Sequence, residues 1–196
     1  AGLNPQDVTR QLYSNWRERF ALPLLIGVLT LGLAALLPAL LYPENIILSS
    51  FIDLSYILTA IVTIIRFPYF VRMSVFLFSI YMLGVSTLIT YNALGVGLFY
   101  FFALIVFATM LFSIRAGIVA IIVDVVTYII FGWLILSERL SPLDPLSTPA
   151  NVGDWLSVGA VNVMFGVVII LGFRSLEREF FEAQKQIDAT VNTLKD

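Results

Sequence analysis

The sequence contains neither cysteine nor histidine. The chain therefore forms no disulfide, has no thiol nucleophile, and cannot hold zinc or haem through these residues, so we expect no cofactor. Charged residues are also scarce, at 12% of the chain against about 25% in average soluble domains. With 60% hydrophobic residues, this composition indicates an integral membrane protein.

Catalytic motifs are missing as well. The sequence has no GxSxG, P-loop or HExxH pattern, and the lack of histidine excludes a Ser-His protease. The net charge is -2, and the basic residues lie in short stretches between apolar runs rather than in one patch. We therefore expect a segment that is not an enzyme and has no nucleic-acid partner.

What the sequence does contain is six stretches long and apolar enough to span a bilayer. They predict an all-α fold, a six-helix transmembrane bundle over residues 20–173. Residues 1–19 are predicted to form an amphipathic helix in the membrane interface, and residues 174–196 a cytoplasmic coiled-coil helix continuous with the sixth span. The predicted spans are Phe20–Leu41, Ile46–Ile65, Met73–Tyr91, Ala93–Ile114, Ala116–Leu136 and Trp155–Phe173.

The basic residues predict the orientation, because lysine and arginine are retained on the cytoplasmic side of a membrane. With both termini in the cytoplasm, only Arg139 of the 11 basic residues lies outside. An odd number of spans would spoil this asymmetry. The cytoplasmic residues are then Arg10, Arg17, Arg19, Arg66, Arg72, Arg115, Arg174, Arg178, Lys185 and Lys195.

Two acidic residues lie inside predicted spans, Asp53 in the second and Asp124 in the fifth. A charge at this depth costs at least ~2.5–3.5 kcal/mol on insertion scales, so each carboxyl needs a partner or a proton. Tyr56 and Tyr128 each lie within one helical turn of one of these acids, and Asn162 has a depth similar to that of Asp124. Two interpretations stay open: a pocket for a small polar or amphipathic ligand or a proton-responsive switch, or hydrogen bonding between helices, which contributes about 0.6 kcal/mol on average.

A seam with 3-4 spacing passes from the last span into the polar tail without a change of phase. This is the a/d repeat of a parallel coiled coil, so the sixth span is predicted to leave the bilayer as one strand of a homodimer. Its tail residues are Phe173, Leu176, Phe180, Ala183, Ile187, Thr190 and Leu194.

Extended backward, the same stripe passes through Ile169, Gly166, Asn162, Gly159 and Trp155. Small and polar residues on one face allow two membrane helices to approach closely. Pairing of Asn162 with its symmetry mate and packing against a neighbouring span of the same subunit both fit this stripe.

This layout resembles the polytopic membrane sensor regions that precede bacterial histidine kinases, diguanylate cyclases and related signalling proteins. The resemblance is architectural and covers the whole chain: six spans, both termini inside, and a coiled coil that opens with Arg174-Ser175-Leu176-Glu177-Arg178-Glu179-Phe180. It implies a dimeric receptor in a bacterial inner membrane. A cytoplasmic output domain, such as the kinase of a two-component system, would follow Asp196.

Two alternatives from other classes fit the same composition. A six-span transport subunit, such as the substrate-binding component of a vitamin uptake system, would bind a solute near Asp53, Tyr56, Tyr91 and Asn92, but has no need of a heptad tail. The other alternative is a structural subunit that anchors a larger complex. The sensor interpretation accounts for the seam, and its expected partners are the lipid bilayer, a second copy, and a small-molecule or lipid ligand.

Overall fold

The computed structural model describes residues 22–33, 46–65, 67–91, 97–140 and 151–193. Within these ranges the chain forms six helices and no strand, which confirms the predicted all-α class. The helices are α1 (Leu22–Leu33), α2 (Ile46–Ile64), α3 (Tyr69–Tyr91), α4 (Gly97–Leu111), α5 (Ile114–Leu136) and α6 (Val152–Thr193). The predicted interfacial segment, residues 1–19, lies outside the described residues.

Three of the described helices are long and apolar enough to cross a membrane, over Tyr69–Thr90, Ile114–Leu136 and Val152–Phe180. The apolar helices over Leu22–Leu33, Ser49–Ile64 and Gly97–Leu111 are shorter. Large apolar side chains also cover the outside of the bundle, and soluble proteins rarely expose continuous apolar surfaces of this kind. The outer surface is therefore that of a membrane protein.

The start of α3 differs from the predicted span because of a charged residue. α3 begins at Tyr69 rather than Met73, so Arg72 lies in its first turn. The guanidinium folds back along the chain and donates from Nη2 to the carbonyl of Phe67 at 2.9 Å. A boundary drawn from hydropathy excludes such an arginine, although the helix includes it.

The start of α5 is set by a cap. Ser113 has an extended backbone, and its Oγ accepts a hydrogen bond from the amide of Ala116 at 3.3 Å. Serine is a favoured N-cap because this bond satisfies an amide that lacks a partner within the helix. Ile114, predicted to end the fourth span, therefore belongs to α5.

α4 is the central helix of the bundle and packs against α3, α5 and α6. Its sequence is apolar on every side, as expected for a helix surrounded by others. Gly84 of α3 allows Phe101 of α4 to approach, since an added Cβ would lie 3.0 Å from the ring. α2 packs on the other side of α3, and α5 packs against α6.

In the part of the chain that the structure describes, the core consists of two clusters stacked along the bundle, with Tyr81 packed against both. On α5, Asp124 lies between Ala120 of the first cluster and Tyr128 of the second. We call the first the aliphatic cluster: Leu25, Met73, Phe76, Ile80, Leu104, Ile105, Ala108, Leu111 and Ala120. The second is the aromatic cluster: Leu88, Phe101, Tyr128, Ile135 and Trp155.

α6 is a single uninterrupted helix of 42 residues. Asn151 caps its start, because its Oδ1 accepts from the amide of Asp154 at 2.8 Å. At about 1.5 Å per residue the helix is about 63 Å long, roughly twice the thickness of a hydrocarbon core. It therefore continues well past Phe173, where the predicted span ends.

A polar cluster and groove between α5 and α6

α5 and α6 pack antiparallel in one constant register. Three glycine contacts define it: Gly117 with Ile170, Gly166 with Ile121 and Gly132 with Trp155, where an added Cβ would lie 3.5, 2.9 and 3.2 Å from the partner side chain. Moving three residues forward along α5 from Ile121, and three residues back along α6 from Gly166, places Asp124 opposite Val163. The structure thus brings Asp124 and Asn162 to the same level of the bundle.

The polar side chains at this level are deeply buried. Asp124, Tyr128 and Asn162 are 1%, 6% and 2% exposed. Among the described residues, neither carboxylate oxygen of Asp124, nor Tyr128 Oη, nor Asn162 Oδ1 has a hydrogen-bond partner. Buried polar groups are normally paired, and leaving one unpaired costs ~1–3 kcal/mol. These unpaired atoms are therefore candidates for contact with a bound molecule.

A groove of about 650 Å³ lies between α5 and α6, beside this polar cluster. Tyr128 and Asn162 line it together with Trp155, whose Nε1 also lacks a partner among the described residues. Asp124 is one turn away from Tyr128 and does not line the groove. Binding sites for small molecules typically occupy about 300–1,000 Å³ and are mostly apolar, so this groove has the size and character of such a site.

A chain of aromatic rings connects the groove to the centre of the bundle. Tyr128 contacts Trp155 and Phe101 with ring centroids 5.7 and 5.5 Å apart, and Phe101 contacts Tyr81 at 6.3 Å. All three pairs meet edge to face, the arrangement that aromatic quadrupoles favour. The rings thus connect α3, α4, α5 and α6 by direct contact.

Tyr81 and Thr127 form a polar contact that the sequence did not predict. Their hydroxyls lie 3.0 Å apart, and Thr127 donates its own proton to the carbonyl of Val123 at 2.8 Å. Tyr81 is therefore the donor to Thr127. No local pattern singles out Tyr81, whereas Thr127 could have been found from its place beside Tyr128 and one turn from Asp124.

The other predicted pair is Asp53 and Tyr56, and the hydroxyl of Tyr56 bonds elsewhere. The Tyr56 hydroxyl donates instead to the carbonyl of Leu29 in α1, at 3.2 Å. Tyr56 also lines a second cavity of about 310 Å³ between α1, α2, α3 and α4. Ser79, whose Oγ lacks a partner among the described residues, lines this cavity too, and Asp53 does not.

The predicted seam divides into two parts. Within the bundle, Asn162 is buried and Gly166 packs against Ile121 and Ile105 of the same chain, which is the second arrangement that the sequence left open. An added Cβ at Gly159 would meet nothing within 4 Å. Pairing of two α6 helices through Asn162 stays a prediction.

From Leu176 onward the seam is exposed: Leu176, Phe180 and Ile187 are 63%, 60% and 62% accessible. Ala183 is exposed as well, and Phe173 is half-buried at the transition. The side chain of Thr190, and Leu194 as a whole, lie outside the described residues. The stripe is thus covered inside the bundle and uncovered where α6 leaves it.

A long apolar bundle with orphaned polar atoms beside a ligand-sized groove is typical of a membrane domain that binds or senses a small molecule. A family model, MASE11, matches residues 15–176. The chain belongs to the MASE11 family, a family of membrane-associated sensor domains. No curated protein and no solved structure matches the chain. Membership confirms the membrane and sensor parts of the sequence-based prediction.

Proposed function

We propose that the chain is the membrane input module of a dimeric receptor, with six spans, both termini in the cytoplasm and an output domain after Asp196. A stimulus in the membrane changes the packing of α5 and α6, and α6 carries the change to the output domain. The observation that carries this proposal is the continuity of α6, which lines the groove at one end and bears the exposed seam at the other. The module itself catalyses nothing.

The tail has the surface of a helix that pairs with a second copy. Its exposed seam residues are apolar, whereas the opposite side carries an ion pair between Arg178 Nε and Glu182 Oε1 at 2.9 Å. An apolar stripe on an otherwise polar helix is stabilised by burial against another such stripe. This division supports a parallel homodimer that begins where the bundle ends.

The ends of the helices support the proposed orientation. The Tyr69 hydroxyl donates to the carbonyl of Leu111 at 2.7 Å, so α3 begins beside the end of α4. The contact of Gly117 with Ile170 places the start of α5 beside α6 at the same end. Arg72, Arg115 and Arg174 therefore share one end, as expected for the cytoplasmic side.

The test uses the absence of native cysteine. Single cysteines are placed from Leu176 to Ile187, and disulfide cross-linking between subunits is scored in intact membranes. We expect cross-linking to peak at the seam positions Leu176, Phe180, Ala183 and Ile187. Cysteines at Arg178 and Glu182, on the solvated side of the same helix, are the matched controls and should cross-link weakly.

A flat profile along the tail would overturn the dimeric receptor. The transport alternative would then be favoured, because the second cavity beside Tyr56 has polar walls that include Ser55, Thr59 and Ser79. Under that alternative, a polar solute should bind there, and Tyr56→Phe should weaken its binding without any effect on the tail.

A further inference from the structure

The groove between α5 and α6 opens on the outer surface of the bundle. Its rim is formed by apolar side chains that are more than half exposed, among them Ile129, Trp133, Leu156 and Met164. In a membrane, lipid chains cover this surface. A molecule dissolved in the bilayer can therefore enter the groove sideways, without passing through water.

Three of the residues that line the groove carry a buried polar atom that lacks a partner among the described residues. Tyr128 Oη and Trp155 Nε1 are donors, and Asn162 Oδ1 is an acceptor. All three side chains are more than nine-tenths buried. Donors and an acceptor together match a hydroxyl group, which accepts one hydrogen bond and donates another.

The lack of charged residues in the described lining of the groove limits which molecules it can bind. Among the described residues that line the groove, none is charged. An ionised head group would enter this apolar space without a counter-ion, and burying an unpaired charge costs far more than burying a hydroxyl that finds partners. The occupant expected from the lining is uncharged, with a long apolar body.

A second copy of the chain fits the groove less well. The exposed face of α6 is apolar, with side chains such as Leu156, Val168 and Leu171. An apolar face docked in the groove would leave all three polar atoms unpaired, at ~1–3 kcal/mol each. A hydroxyl-bearing lipid has a proton to donate to Asn162 Oδ1 and an oxygen to accept from one of the two donors.

We propose that this groove binds an uncharged, hydroxyl-bearing lipid from the bilayer, held by Asn162 with Tyr128 or Trp155, and that this lipid is the stimulus of the sensor. The last part rests on the proposed function. Because the three polar atoms have almost no accessible surface, a bound hydroxyl reaches them only when the side chains packed between α5 and α6 rearrange. In this proposal, binding changes the packing between α5 and α6, and α6 passes the change to the tail.

The test measures binding directly, using tryptophan fluorescence. In a Trp16→Phe background the remaining tryptophans are Trp133 and Trp155, which both line the groove. The full chain is placed in phosphatidylcholine vesicles and titrated with 12-bromododecan-1-ol, whose bromine quenches tryptophan on contact. The control is 1-bromododecane, which has the same chain and no hydroxyl. We expect saturable quenching by the alcohol and a linear, non-saturable response to the alkane.

Variants then assign the site. Asn162→Leu keeps the volume and removes the acceptor, and Tyr128→Phe removes a donor; each is expected to weaken alcohol binding, by about tenfold where its hydrogen bond is used. Tyr81→Phe is the matched control, since Tyr81 bonds to Thr127 and does not line the groove, and it should leave binding unchanged. Equal, linear quenching by alcohol and alkane would overturn the proposal. So would quenching by neither probe together with cross-linking of Leu156→Cys chains, which would place a second copy in the groove.

The tail separates the failure of this proposal from the failure of the proposed function. Saturable alcohol binding that leaves the cross-linking profile at Leu176 and Phe180 unchanged would support the binding site and remove this lipid as the stimulus. A seam-periodic profile without saturable binding would leave the dimeric receptor standing and overturn the lipid site.

Discussion

Gly166 offers the sharpest test of how α6 is held in the bundle. A Cβ at this position would lie 2.9 Å from Ile121 Cδ1, 3.0 Å from Ile121 Cγ1 and 3.1 Å from Ile105 Cδ1. These contacts come from two different helices, α4 and α5, so α6 cannot escape one neighbour by sliding toward the other. Gly166→Ala should therefore overpack the interface.

The matched control is Gly172→Ala in the same helix, where an added Cβ meets nothing within 4 Å. Replacing glycine by alanine favours a helix by about 1 kcal/mol at either position, so this gain cancels in the comparison. Overpacking of a filled interface costs about 1–3 kcal/mol. The ends of the isoleucine side chains can shift somewhat, so we expect Gly166→Ala to be less stable than Gly172→Ala by about 1–2 kcal/mol.

The assay is reversible unfolding in mixed micelles, in which a denaturing detergent is titrated into a mild one and helix content is followed by circular dichroism. Both variants are compared with the unmodified chain at the same protein concentration. If Gly166→Ala is as stable as Gly172→Ala, or more stable, α6 does not pack on Ile121 and Ile105 as described.

Two further predictions concern the polar residues of the bundle. Tyr81→Phe removes the hydrogen bond to Thr127 and should lower the free energy of unfolding by about 0.6 kcal/mol. The hydroxyl of Tyr128 is unpaired among the described residues, so Tyr128→Phe should cause no loss of stability in the same titration. A larger loss for Tyr128→Phe than for Tyr81→Phe would contradict this hydrogen bonding. Asp124→Asn should leave membrane insertion intact but abolish any pH dependence of cross-linking in the tail. Asp53→Asn is the control and should keep that pH dependence. A pH response unchanged by Asp124→Asn would remove that carboxyl from the mechanism.

The positions of the helices could be read from the sequence because a bilayer fixes how long an apolar run must be. Their ends could not, because ends depend on individual side chains. Arg72 stays inside α3 by bonding to the backbone of Phe67. The Ser113 cap makes α5 begin at Ile114, two residues before the predicted Ala116. Hydropathy averages over a window and does not register either effect.

Part of the candidate site could be predicted from the sequence. Asp124, Tyr128 and Asn162 were found because polar residues at membrane depth are conspicuous, and the helical rise places two of them at one level. The groove beside them was not predictable, since it depends on where the side chains of two packed helices leave a gap. Nor was the partner of Tyr56, because spacing along α2 favours Asp53 while the phenol reaches the neighbouring helix α1.

Because α6 is uninterrupted, it can act as a rigid lever that pivots at the point where it leaves the bundle. About 20 residues beyond Phe173 extend the arm by roughly 30 Å, so a tilt of about 5° at that point moves the far end sideways by about 2.5 Å. A Cβ added at Gly172, just before this point, would meet nothing within 4 Å, so the space beside this residue is open to such a tilt. A displacement too small to disturb the packing of the bundle therefore becomes, at the end of the arm, a distance comparable to the width of a side chain.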